Sequence, residues 1–240
     1  MDNFKNYFID KTYFETIDIA NYYEEIEPQI KQSTVNWRIY SLVQKGILQR
    51  IGRGKFIIGN KMKFIPEISS KTKSIYSKIH KEFPFSNLCV WHTSWLNEFM
   101  QHQPNQFYYL VEVEKESTES VFYFLKETNN SVFLNPNSDI LNKYLSNNKD
   151  VLIVKHYISE SPIQKISEIK TATIEKILVD IYCDEIIFAA QQGFEMRTIF
   201  NNVYERYAVN ESKMLRYANR RKKKESFKEY INSINGTKVK

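Results

Sequence analysis

The chain has 240 residues, 42% of them hydrophobic and with 16 Tyr and 16 Phe, enough to bury an aromatic-rich core without disulfide staples and too apolar for a disordered chain. Its 34 basic and 28 acidic side chains leave a net charge of +6, and no uncharged apolar run approaches the length of a membrane span. Two distant cysteines, Cys89 and Cys183, fit neither a disulfide framework nor a metal-ligand pattern, and two buried thiols in a reducing compartment are expected.

The N-terminus lacks a cationic start followed by an apolar run, so a soluble cytoplasmic protein without a secretory signal is expected. Residues 1–30 carry seven acids against Lys5 and Lys11. Phe4–Phe8 and Ile17–Tyr23 are apolar enough for two helices, and Pro28 separates the second from a third. If this acidic stretch shares a small domain with the basic segment after it, its acids should lie on the face turned away from an anionic partner.

From Lys31 to Lys55 the sequence holds Lys31, Arg38, Lys45, Arg50, Arg53 and Lys55 and no Asp or Glu, which equals the whole net charge. Val35, Ile39, Leu42 and Val43 form one apolar stripe, predicting a helix over 34–45 capped by Ser33 and stopped by Gly46. Trp37, Ser41 and Gln44 fall opposite that stripe, with Arg38 and Lys45 on its flank. Two short strands, 48–51 and 56–58, then meet across Gly52-Arg53-Gly54, where glycine permits the positive φ of a tight turn. Helix, helix, helix, hairpin is the order of a winged helix-turn-helix, and a cationic one suits duplex DNA.

In this reading Ser33, Thr34, Asn36, Trp37, Arg38, Ser41, Lys45, Arg50, Arg53 and Lys55 form the DNA-binding surface. Asn36 and Arg38 would reach base edges, Trp37 would pack on sugar and phosphate, and Arg53 would enter the minor groove or bind its phosphates. The competing reading is a basic helix and hairpin that contact another protein.

The pattern changes after residues 61–66, so a winged-helix domain over 1–60 and a larger domain over 67–240 are expected. The second begins with a helix over 70–83. Strands over 88–91, 107–113, 132–134 and 151–155 then alternate with helices over 94–102, 116–125 and 139–146, which indicates an α/β layer with parallel pairings. Three further apolar stripes, at Ile174–Tyr182, Ile199–Tyr207 and Phe227–Ile234, make the last third helical. The fold class is thus mixed, α+β or α/β, with a helical C-terminal part.

Arg220, Arg221, Lys222, Lys223 and Lys224 form a cationic run. It reads first as solvated charge, and otherwise as secondary phosphate contacts.

Catalytic motifs are weak. Glu112, Glu114 and Lys115 follow an apolar strand but lack the Glu-x-Lys order of nuclease sites. Asp180 and Asp184, one helical turn apart, read as a solvent-facing carboxylate pair before a metal site. Cys89 and His92 have no second ligand pair in register. No phosphate loop, nucleophile elbow or His-Glu metal helix is present. Neither catalysis nor a cofactor or metal is expected. The alternative is a nucleic-acid-processing enzyme, a nuclease or nucleotidyltransferase, whose winged helix delivers an α/β catalytic domain.

The segment QSTVNWRIYSLVQKGILQRIGRGKF, with TIEKILVDIYCD and QQGFEMRTIF further on, resembles the AbiEi-like family of transcriptional regulators of bacterial abortive-infection systems, the antitoxin halves of type IV toxin-antitoxin pairs. The chain departs from that pattern at Ile177 and Leu178, where family members often place a Thr before the Leu-Val-Asp triplet. The resemblance implies an N-terminal domain that binds operator repeats in double-stranded DNA and represses its own operon. It also implies a C-terminal domain that counters a nucleotidyltransferase-like toxin encoded nearby. A monomer on two repeats and a homodimer are both compatible with such an operator.

Overall fold

The computed structural model describes residues 2–44, 47–59, 62–144 and 150–236. The chain is mixed α and β and divides into two compact units, Met1–Phe64 with Val203–Lys213, and Ile65–Asn202 with Met214–Lys240. The expected larger domain ran unbroken to the C-terminus, whereas Val203–Lys213 belongs with the first unit. Its backbone explains why: Met62 N–H donates to the Arg206 carbonyl at 3.0 Å, and Ala208 N–H donates to the Met62 carbonyl at 2.9 Å.

In the first unit α1 (Asp2–Tyr7), β1 (Phe14–Glu15), α2 (Thr16–Ile26), α3 (Gln32–Gln44), β2 (Leu48–Gly52) and β3 (Lys55–Ile58) come in order. A capping box starts α2, in which Glu15 and Asp18 each accept from the other's backbone N–H. Beyond α2 the chain turns through Gln29, whose φ is 72°. The N–H groups of Thr34 and Val35 both donate to the Lys31 carbonyl. The helix therefore begins at Gln32, and Ser33 lies inside its first turn rather than capping it. Gly46, the expected stop, lies outside the described residues.

Val35, Ile39 and Leu42 point inward as their spacing requires and meet Phe8, Phe14, Ile19, Leu48 and Phe56. Burying each such side chain contributes roughly 1.5–3 kcal/mol. The strands pair antiparallel in the order β1-β3-β2. Arg53 and Gly54 form the turn between β2 and β3, and Gly54 adopts a φ of 69° that a side chain would strain.

The second unit opens with α4 (Ser70–Glu82), capped by Ser69, whose hydroxyl accepts from Thr72 N–H. β4 (Leu88–His92) leads into a 3-10 helix, Thr93–Phe99, where an α-helix was expected. Its buried residues are Thr93, Leu96 and Phe99, a three-residue spacing that lies on one line only in the tighter helix. Then come β5 (Tyr108–Val113), α5 (Thr118–Thr128), β6 (Val132–Leu134), α6 (Ser138–Tyr144) and β7 (Val151–His156). The expected end of α6, at residues 145–146, lies outside the described residues.

The sheet order is β4-β5-β7-β6, with β4 antiparallel to β5 and the other three strands mutually parallel. Leu88, Val90, Tyr109, Val111, Leu152 and Val154 meet Ile75, Tyr76 and Ile79 of α4 and Val121 and Leu125 of α5. By the two-residue alternation of strands, Trp91 and Glu112 face the other side.

A hairpin not expected from sequence, β8 (Ile163–Ile166) and β9 (Ile169–Ala172), comes next. After it stand α7 (Ile174–Cys183), α8 (Phe194–Arg206), α9 (Glu211–Arg220) and α10 (Lys224–Gly236). Among the described residues no helix is long and apolar enough to cross a membrane.

Candidate nucleic-acid interface and a buried charge cluster

With Val35, Ile39 and Leu42 committed to the core, the opposite side of α3 presents Ser33, Asn36, Trp37 and Tyr40, all exposed. Trp37 is 67% exposed and Tyr40 63%, so two large amphipathic rings sit one turn apart in water. Tyr40 escaped the sequence reading although its i+3 and i+4 spacing from Trp37 and Asn36 was available as a signal. Thr34 and Ser41 are half-buried at the edges of this face, and Lys45 lies outside the described residues.

Arg38 sits elsewhere. Its guanidinium donates to Glu27 at 2.6 Å and lies 4.7 Å over the Tyr23 ring. Arg38 and Trp37 both line an open hollow of about 310 Å³, with Phe4 and Tyr22 among its other walls. Arg38 is thus held toward α2 by one of the acids expected on the far face. Lys55 is similar, 3.8 Å from Glu15 and 4.9 Å over the Tyr13 ring. The acidic and basic blocks therefore meet rather than segregate, because α2 and β1 pack directly beside the basic elements.

Arg50 extends over Phe56, its partner across the β2–β3 ladder, at 5.3 Å. Arg53, at the turn, is exposed and has no ion pair among the described residues. That turn is anchored: Thr16 N–H donates to the Gly54 carbonyl at 2.9 Å. A Cβ at Gly52 would come within 3.0 Å of Ser212 Oγ, so glycine lets the hairpin lie this close to the returning segment without displacing that hydroxyl.

The second unit holds a cluster whose burial the sequence did not disclose. Asp180 does not face solvent: it is 3% exposed, and Lys176, one turn earlier, is fully buried. Lys176 Nζ bonds Asp180 and lies 2.7 Å from Glu112, which also accepts from the Trp91 indole N–H at 3.2 Å. Tyr217 O–H and Arg221 both donate to Asp180, at 2.8 and 2.7 Å. Burial pushes the Asp180 carboxyl up, but Lys176, Arg221 and Lys155 outweigh it and leave it below the usual carboxylate range. Burial pushes the Lys176 ammonium down, and Asp180 and Glu112 outweigh that too, holding it well above its ordinary value.

Asp184 pairs with Lys155 and accepts from Ile187 N–H at 3.1 Å, whereas Asp180 is bonded to Lys176, Tyr217 and Arg221. Glu114 accepts from Asn87 at 2.6 Å, outside the cluster, and Lys115 is exposed on the following 3-10 turn. Cys89 and His92 fall on opposite faces of β4. Among the described residues no group of three or more His, Cys, Asp or Glu is placed to hold a metal. Cys89 is buried, but Cys183 is only half-buried, which corrects one of the two expected buried thiols.

The cationic run is divided by the turn between α9 and α10. Arg220 pairs with Glu160, Arg221 turns inward to Asp180, and Lys222 to Lys224 are exposed. Arg221 is therefore withdrawn from the surface row of phosphate contacts considered for these five residues.

A model of a family of unknown function (DUF6577) matches residues 34–237. The match begins within α3 and runs through both units. No curated protein matches the chain.

Proposed function

We propose that this chain, which belongs to the DUF6577 family of unknown function, is a sequence-specific DNA-binding regulator whose first unit is a winged helix-turn-helix. One arrangement carries this reading: an acid-free exposed face on α3 beside an anchored hairpin whose turn presents an unpaired Arg53. The order α1-β1-α2-α3-β2-β3 supports it, since a helix that follows a short turn and precedes a two-stranded wing suits insertion into a major groove. Ser33, Asn36, Trp37 and Tyr40 are then the side chains that meet bases and sugar edges. Arg50 and Lys55, braced on Phe56 and Tyr13, meet phosphates with less entropy to lose.

Repression of its own operon and action against a nucleotidyltransferase-like toxin rest on the resemblance of the sequence to abortive-infection regulators, and a cytoplasmic location rests on the N-terminal sequence and the lack of a membrane-length apolar run. A mobility shift with the DNA upstream of the chain's own gene tests the regulator. Specific retention is expected, weakening in Trp37→Ala by about 1–3 kcal/mol. Equal retention of unrelated DNA at moderate salt, unchanged in Trp37→Ala and Arg53→Ala, overturns it.

The alternative, a nucleic-acid-processing enzyme, draws on the convergence of Glu112 and Asp180 on Lys176. Both carboxylates are already bonded to that ammonium, which favours the regulator.

A further inference from the structure

Where parallel strands end together, ligands commonly enter at their carboxyl ends. β5, β7 and β6 are such a set, and they bring Glu112, Lys155 with His156, and Asn135 to one end of the sheet. Asp180, Tyr217 and Arg221 close the same place, leaving a cavity of about 150 Å³. A space of that size, with Lys155 and Arg221 in its lining, admits a tetrahedral oxyanion.

We propose that this strand-end cavity is a binding site for a phosphate group, held by Lys155, Arg221 and Asn135. Two acids of the cluster are held inside: the Glu112 and Asp180 side chains are each 5% exposed and are neutralised by Lys176 at 0%, whereas the side chains of Lys155 and Arg221 reach 18% and 14%, with Asp184 beside Lys155 at 15%. Arg221 is thus the outer end of its pair with Asp180, and Lys155 lines the cavity while its partner Asp184 does not. Each outer cation also keeps donors to spare. Arg221 uses Nη1 on Asp180 and Tyr217, and Lys155 gives one bond to Asp184, while a guanidinium carries five N–H groups and an ammonium three. The fixed pairing orients both cations before any ligand arrives, so little ordering remains to be done on binding.

Asn135 adds a second signal. It follows β6 with a φ of 40°, in the left-handed region, and its N–H donates to the Val154 carbonyl at 3.1 Å. Asparagine tolerates that conformation, and the turn places its exposed side chain in the lining of the cavity. His156 completes the wall. Thr118 spends its one hydroxyl proton on the Glu114 carbonyl at 2.9 Å, so at 2.8 Å from His156 Nδ1 it accepts, which places the ring proton on Nδ1 and leaves Nε2 as an acceptor in the neutral ring. Nε2 thereby suits the remaining proton of a hydrogen phosphate. A ring of buried, mutually paired charges contributes little to stability compared with apolar packing, so a ligand gives the cluster a reason to persist.

The phosphate can belong to the free ion, a nucleotide or the end of a polynucleotide. Titration calorimetry of the full chain with inorganic phosphate, a nucleoside 5′-monophosphate and a short oligonucleotide with or without a 5′-phosphate separates these sources. Saturable binding at millimolar concentration or below is expected in at least one arm, and the arm with the tightest binding names the source. Lys155→Gln and Arg221→Lys should each weaken it about tenfold, and Asn135→Ala, at an exposed position, should weaken it without lowering the melting temperature. Arg53→Ala should leave phosphate binding intact, which keeps this site separate from the proposed DNA surface. No saturable binding in any arm, or binding unchanged in both Lys155→Gln and Asn135→Ala, overturns the proposal.

Discussion

Lys176 shows what one residue can decide. It is the only fully buried ammonium among the described residues and lies between two carboxylates. Lys176→Met leaves the buried Glu112 and Asp180 carboxylates without the ammonium between them, so the chain should lose about 3–5 kcal/mol of unfolding free energy in urea. Glu112→Gln in that background should recover part of the loss, because a neutral amide removes the repulsion. Equal stability of Lys176→Met and the parent would mean that the ammonium does not offset the two carboxylates. His92 provides a pH test of the same kind. Burial lowers its pKa from the ordinary 6.5 to about 4. Between those values the unfolded chain binds a proton that the native chain does not, so stability falls as pH drops through that window. The cost is roughly 1–2 kcal/mol once the partial exposure of the ring is allowed for. His92→Asn, which keeps a polar partner for Ser94, should flatten the acid limb of a stability-against-pH curve, and an unchanged limb would assign it to the carboxylates alone.

At the scale of elements, the basic helix and hairpin also carry their own restraint. Glu27 holds Arg38 against Tyr23, and this pair is exposed enough to be worth about 1 kcal/mol or less. Glu27→Gln should therefore leave the fold intact, release Arg38 and steepen the salt dependence of DNA binding by about one unit of log K against log salt. An unchanged slope would place Arg38 off the duplex. The elements that could be read from sequence were those with a local signal. The stripe Val35, Ile39, Leu42 marks α3, and the apolar runs at 88–91 and 151–155 mark strands buried on both faces. The β8–β9 hairpin was missed because its turn is Ser167-Glu168, both at positive φ without a glycine, so the usual punctuation is lacking. Asp180 was misplaced for a different reason. Helical spacing gives the face a residue shares, and Asp180 shares one with Lys176, but what covers that face is set by Glu112, Tyr217 and Arg221 from distant parts of the chain.

At the scale of the molecule, the net charge of +6 is not spread evenly, and its location near α3 and the hairpin sets how affinity for the proposed DNA partner should respond to salt. If about six phosphates are neutralised, log K should fall with log salt with a slope near −5. The divided first unit bears on whether that surface can be isolated. Met62 pairs with Tyr207 as an isolated bridge, Phe64 and Tyr207 meet edge to face at 5.4 Å, and Gly52 lies against Ser212. All of these contacts belong to the first unit, yet half of them come from Val203–Lys213. A fragment ending at Phe64 would expose the apolar side of Phe64 and leave the Met62 carbonyl and N–H without partners, at a cost of about 1 kcal/mol for each lost bond plus the ring burial. It should melt below the first unit of the full chain and show a broader transition by circular dichroism. Joining residues 203–213 to its C-terminus through a flexible linker should restore both. If the short fragment melts as sharply and as high as the rejoined one, the returning segment is dispensable and the first unit folds on its N-terminal residues alone.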